Sequence, residues 1–259
     1  MNDSNQNIAL ITGASRLNGI GAAVALTLAK TGFDICTTYF RPYDHQTKLA
    51  ADTNEPQILF EKLQQTGRRI TSLEIDLSDP QSPHSLFEYA ENNLGPINVL
   101  VNNATHSMRD GIENLTAAEL DKHYAVNVRG MALLCAEFVR RYKTRHAKHA
   151  YGRIINLSSG QSAGPMPGEL AYVATKGAVE AFTTSLSAEV ASLGITVNAI
   201  DPGITDTGWI PPELHTQWTA ESPMGRVGQP TDVANLIQFL ASAESGWITG
   251  QLIRSRGGL

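Results

Sequence analysis

The chain has 259 residues and 42% apolar composition, enough for one large α/β domain, and its formal net charge of -5 gives no electrostatic footprint for nucleic acid. Its cysteines, Cys36 and Cys135, lie far apart, which excludes a disulfide framework and a cysteine zinc site. With no basic-then-apolar leader and no apolar run of membrane-spanning length, a cytoplasmic protein without a membrane partner is expected.

In chain order, short apolar runs bounded by turn residues predict buried strands. They are "IALIT" (residues 8 to 12), "DICTTY" (34 to 39), "SLEID" (72 to 76), "INVLVNN" (97 to 103), "GRIINLSS" (152 to 159), "ITVNAID" (195 to 201) and a closing "GQLIRS" (250 to 255). Between them, "GIGAAVALTLAKTG" and the long "AAELDKHYAVNVRGMALLCAEFVRRY" carry helical spacing. The alternation implies βαβ units, hence a Rossmann-like doubly wound parallel sheet flanked by helices. With no linker or repeat to divide it, the chain is expected to be a single domain over residues 1–259. His146 and His149 have an H-x-x-H spacing without an acid in the segment, so a solvated loop is expected there and no metal site.

Ligands of such sheets collect at the carboxyl ends of the strands, so the polar residues there carry the argument. Residues 12 to 21 read "TGASRLNGIG". After a buried strand, Gly13 permits a sharp turn, while Gly19 and Gly21 let backbone and helix approach a pyrophosphate. The loop taken alone is equally a strand-to-helix turn without a ligand. Where the second strand ends, at Tyr39, there is no acid for ribose hydroxyls; Asp34 belongs to the start of that strand. Arg16 and Arg41 instead suit an additional phosphate. NADP(H) is therefore the expected cofactor, with NAD(H) not excluded and two unliganded surface arginines as the alternative.

Tyr172 and Lys176, four apart on an expected helix, share one face, where an ammonium favours the phenolate. The bland alternative is an ordinary amphipathic helix. Ser159, with Ser158 as its neighbouring competitor, ends a strand where a hydroxyl can donate to a carbonyl oxygen.

Together these motifs resemble the short-chain dehydrogenase/reductase family, in its single-domain type similar to 3-oxoacyl-(acyl-carrier-protein) reductases. The loop resembles the family's T-G-x3-G-x-G turn, with Leu17 and Asn18 as two extra residues. "NNA" at Asn102 to Ala104 resembles its NNAG turn with Thr105 replacing glycine, and "DPGITDT" from Asp201 resembles its Pro-Gly turn. "SRGG" departs from the usual ending, Arg256 standing in place of an acid. The resemblance assigns a catalytic set of Asn127, Ser159, Tyr172 and Lys176. It implies a cofactor-binding set of Gly13, Ser15, Arg16, Gly19, Ile20 and Gly21 in the loop, with Tyr39 and Arg41 beyond the second strand. Asp76, Leu77, Asn103 and Ala104 follow, then Tyr172 and Lys176, and finally Pro202, Gly203, Thr205 and Thr207.

The implied reaction moves a hydride between the nicotinamide and a ketone or secondary alcohol. Tyr172 is the general acid/base, Ser159 holds the oxygen, and Lys176 tunes Tyr172 and binds ribose hydroxyls. Asn127 keeps a water for proton relay. The substrate is a small carbonyl or alcohol compound, with 3-oxoacyl thioesters as one class. Enoyl reduction, which in this family places a tyrosine seven positions before the lysine, is disfavoured by Glu169. Residues 204–223, with few helix-ordering features, are expected to form a substrate lid, an intersubunit segment being the alternative. A homo-oligomer, tetramer or dimer, is expected. The reading from another class is a catalytically silent dinucleotide-binding regulator or scaffold.

Overall fold

The computed structural model describes residues 7–47, 54–144 and 151–258, so His146 and His149 lie outside the described residues. Seven parallel strands form one sheet in the order β3-β2-β1-β4-β5-β6-β7. They are β1 (Ile8–Ile11), β2 (Asp34–Tyr39), β3 (Ile70–Glu74), β4 (Val99–Asn102), β5 (Gly152–Leu157), β6 (Ile195–Asp201) and β7 (Leu252–Arg254). The helices between them are α1 (Ile20–Lys30), α2 (Arg41–Thr47), α3 (Glu55–Gln64), α4 (Ser82–Leu94), α5 (Ala117–Tyr124) and α6 (Met131–Thr144). They are followed by α7 (Leu170–Val190), α8 (Pro212–Glu221) and α9 (Pro230–Ala241).

The two-residue period of each strand sorts its apolar side chains into two cores. Ala9, Ile11, Val99, Val101 and Ile155 pack with α1, α3 and α9 on one face. Ile8, Leu10, Leu100, Ile154 and Val197 pack with α4, α6 and α7 on the other. Because both faces are covered, the central strands are buried along their whole length, their few polar residues such as Asn102 and Asn156 hydrogen-bonded to one another. The edge strand β3 is half polar.

That polarity explains a difference from the sequence reading: β3 begins at Ile70, two residues before the expected run, because its pairing with β2 from Ile35 to Tyr39 sets its register. The expected long helix from 117 to 142 divides into α5, a π-helical turn over Ala125–Gly130, and α6. Where few helix-ordering features were expected, α8 forms; Pro212 in its first turn needs no intrahelical donor, and Glu213 favours the helix N-terminus. Among the described residues, no helix is long and apolar enough to cross a membrane.

Asp34, at the start of β2, anchors the sheet's edge. Its buried carboxylate meets Arg68 at 2.8 Å and Arg69 at 2.7 Å and also accepts from the Arg69 backbone N–H at 3.0 Å. Replacing it removes the carboxylate that both cations share, but their partial exposure softens the loss below that of a fully buried pair. Asp34→Ala is expected to lower unfolding free energy by about 2 kcal/mol, read as a lower urea midpoint at unchanged slope. A midpoint equal to the native one would show that the cluster contributes nothing.

Candidate active site

The strand order reverses between β1 and β4, and at their carboxyl ends opens a cleft of about 1340 Å³. It exceeds the usual span of small-ligand pockets, roughly 300–1,000 Å³, and so has room for a dinucleotide together with a substrate.

Two loops form its floor. The Thr12 hydroxyl accepts hydrogen bonds from the backbone N–H groups of Asn103 and Ala104, both at 3.0 Å. In return the Asn103 amide donates to the carbonyls of Thr12 and Gly13, at 2.8 and 2.9 Å. Gly13 has φ +73°, and a Cβ there would stand 2.6 Å from the Ala104 Cα, so only glycine fits. A Cβ on Gly21 would stand 2.6 Å from the Gly13 carbonyl oxygen, so this glycine lets α1 pack against the loop. The extra pair turns away: the Leu17 N–H donates to Glu55 of α3 at 2.6 Å, its side chain packs on the core, and Asn18 is exposed. Gly19 caps α1 without a side-chain hydrogen bond, leaving the first-turn N–H groups for an anion. These residues fit a dinucleotide's pyrophosphate.

Most of the sequence-predicted cofactor residues line this cleft: Gly13, Ser15, Arg16, Gly19, Ile20, Tyr39, Asp76, Leu77, Asn103, Ala104, Tyr172, Pro202, Gly203, Thr205 and Thr207. Gly21 and Lys176 lie beneath its surface. Arg16 donates to the Thr207 carbonyl at 3.0 Å, tying the loop to the segment before α8. Arg41 does not line the cleft; it meets Asp44 at 3.3 Å, and its N–H donates to Glu74. The expected lid contributes Trp209, Pro211, Leu214 and Trp218 to the wall, the two tryptophan rings 5.6 Å apart.

The two serines after β5 face different ways. Ser158 is buried and donates to Glu180 at 2.7 Å, whereas Ser159 lines the cleft close to Tyr172. One turn beyond Tyr172, Lys176 is buried, donates to the Leu157 carbonyl at 2.7 Å and lies 5.5 Å from the Tyr172 ring centroid. Burial dominates both groups. It pushes the Tyr172 phenol up to about 12, against the lowering pull of Ser159, and brings Lys176 down to about 8. The sequence argument expected the ammonium to favour phenolate; in the free protein, desolvation of both groups outweighs that attraction.

Asn127 sits in the π-helical turn, a backbone irregularity often found at functional sites. Its side-chain oxygen accepts from the His106 N–H at 2.7 Å and the Thr105 hydroxyl at 3.1 Å, and its amide donates to the His106 carbonyl at 2.8 Å and Thr175 at 3.0 Å. All its side-chain hydrogen-bonding positions are thus engaged, joining the loop after β4 to α7. Asn102 is structural, donating to Asn156 at 2.8 Å. Arg256 reaches back to pair with buried Asp201 at 2.9 Å, so the departure at the C-terminus neutralises an acid near Tyr172.

Sequence reasoning missed Thr12, His106, Tyr43 and Asp44. Thr12 was visible within the T-G turn itself. His106, brought down to about 4 by burial and then by His123, carried no spacing signal. Its ring lies near His123, with Glu119 close by. His123 accepts from the Met108 N–H at 3.1 Å and has its other nitrogen on the Glu119 carbonyl, while the buried His106 Nε2 has no hydrogen-bond partner among the described residues.

Lys176 gives a testable sign. Its folded value lies below its unfolded one, so burying the ammonium destabilises the fold by on the order of 3 kcal/mol at neutral pH, relieved as pH rises from about 8 to about 10.5. Lys176→Met is expected to raise unfolding free energy at pH 7, with the gain shrinking by pH 9.5 in urea titrations. A difference that does not change with pH would contradict the assignment.

The family model described as "Enoyl-(Acyl carrier protein) reductase" matches residues 13–259. An uncharacterized oxidoreductase of Bacillus subtilis is 46% identical over 258 residues, covering 100% of this chain and 98% of that protein. A 3-oxoacyl-(acyl-carrier-protein) reductase of Staphylococcus aureus is 33% identical, covering 97% of each. Among solved structures, a blue fluorescent protein from a metagenomic library, in complex with NADPH, superposes with TM-score 0.84 at 30% identity, covering 98% of each chain.

Proposed function

Because the chain belongs to the short-chain dehydrogenase/reductase family, oxidoreductases of CH-OH and C=O groups, we propose that it is an NADP(H)-dependent carbonyl reductase whose acid is Tyr172. The observation that carries this reading is Ser159 and Tyr172 set side by side on the cleft wall, with Lys176 buried one turn behind. A bound nicotinamide supplies or takes the hydride.

Ser159 and Tyr172 converge on one point, where both hydroxyls can donate to a carbonyl oxygen as charge develops on it. A phenol held up to about 12 is protonated at neutral pH, which suits reduction; oxidation of an alcohol needs the phenolate. Lys176 delivers the replacement proton and meets ribose hydroxyls. With its side chain fully engaged, Asn127 holds the relay water through its main-chain carbonyl.

Arg16 in the cleft and the missing acid at Tyr39 support NADP(H), as does the NADPH complex of the similar structure. The Staphylococcus aureus relative supports 3-oxoacyl thioesters as the first substrates to screen. Glu169, lining the cleft, occupies the place where an enoyl reductase would present a phenol, which supports carbonyl over enoyl reduction. Trp247, almost wholly exposed, and exposed Phe239 of α9 support a homo-oligomer.

Tyr172→Phe is expected to lower kcat by about 10²–10⁴-fold while leaving NADPH affinity essentially native, as measured by NADPH oxidation and by nicotinamide fluorescence. Native turnover in this variant would rule out Tyr172 as the acid.

A further inference from the structure

The connection after β2 enters the cleft, and Asp44 is what it brings. Although α2 has seven residues, the Asp44 side chain is 7% exposed. Its carboxylate pairs with Arg41 at 3.3 Å and lines the cleft together with Ser15 of the glycine-rich loop and Arg16. The adjacent Tyr43 pins the segment across the cleft. Its hydroxyl donates to the Ser107 carbonyl at 3.1 Å and accepts from the Ser107 N–H at 2.9 Å, and its ring centroid lies 5.2 Å from that of His106.

Two guanidinium groups and a hydroxyl around one anion form a donor set that a phosphate group uses as well as a carboxylate does. The two anions cannot share it, because like charges at such range repel. We propose that Asp44 is a specificity-determining residue for the cofactor: its carboxylate, held by Arg41, occupies the anion subsite beside Ser15 and Arg16 on the cleft wall and competes there with the 2′-phosphate of NADP(H). The uncharged 2′-hydroxyl of NAD(H) meets no such competition. Asp44 thus restrains a selectivity that the arginines alone would make stronger. This rests on reading the cleft as a dinucleotide site, and it is independent of the chemistry at Tyr172.

Asp44→Asn keeps the shape but removes the charge. Native and variant proteins are titrated with NADPH and NADH, following nicotinamide fluorescence. The variant is expected to bind NADPH roughly tenfold more tightly with NADH affinity within about twofold of native, and adding Arg16→Gln is expected to cancel the gain. Asp44→Ser, also uncharged, is expected to reproduce the gain. Unchanged or weakened NADPH binding in both uncharged variants overturns the proposal; so does a selective loss of NADH, which would make Asp44 a reader of the ribose hydroxyls. A native preference for NADH would remove the cofactor assignment above, yet a gain of NADPH binding on neutralising Asp44 would still support the competition.

Discussion

The sheet is buried on both faces, and that constraint decides where chemistry can occur. Most side chains along β1, β4 and β5 point into two apolar cores, so polar groups that must meet a ligand gather where the strands end. Strand reversal between β1 and β4 opens those ends into a cleft. Thr12, clasping Asn103 and Ala104, fixes the distance between the two loops at its floor. Gly13, with no room for a side chain, follows from the same closeness. The position of every group on the cleft wall depends on this junction.

Burial also sets the charge states. Tyr172 and Lys176 are each disfavoured in their charged forms, so the free protein holds a neutral phenol beside a lysine that gives up its proton easily. A protonated acid at neutral pH is what carbonyl reduction requires, and it follows from packing rather than from a salt bridge. At the other end of the cleft burial likewise pushes the Asp44 carboxyl up, against the lowering pull of Ser15, Arg41 and Arg16. One end holds a neutral phenol beside a buried ammonium; the other holds Asp44 paired with Arg41.

Much of this was legible in the sequence. Strands with continuous apolar runs, such as "IALI", were readable because burial on both faces leaves no polar alternation to confuse them. Tyr172 and Lys176 shared a face by helical spacing alone. The half-polar edge strand β3 was displaced in the reading because its register comes from pairing with β2, a long-range fact. The π-helical turn at Asn127 was invisible, since a single added residue per turn leaves the apolar pattern of the long helix nearly intact. Arg41 was read as a ligand of the cofactor because nothing local reveals that Asp44, three residues on, would fold back to meet it. Ser158 and Ser159 were separable only once Glu180, from α7, was seen to claim the first.

The central claim is that burial, rather than the charge of Lys176, sets the protonation of Tyr172 in the free protein. The most direct measurement is a pH titration of tyrosine labelled with 13C at Cζ, the Tyr172 resonance assigned by its loss in Tyr172→Phe. The account predicts that this resonance keeps its protonated shift through neutral pH and up to at least about pH 10. A titration midpoint near neutrality would contradict it, and would show that the lysine's attraction overcomes the desolvation of the phenol.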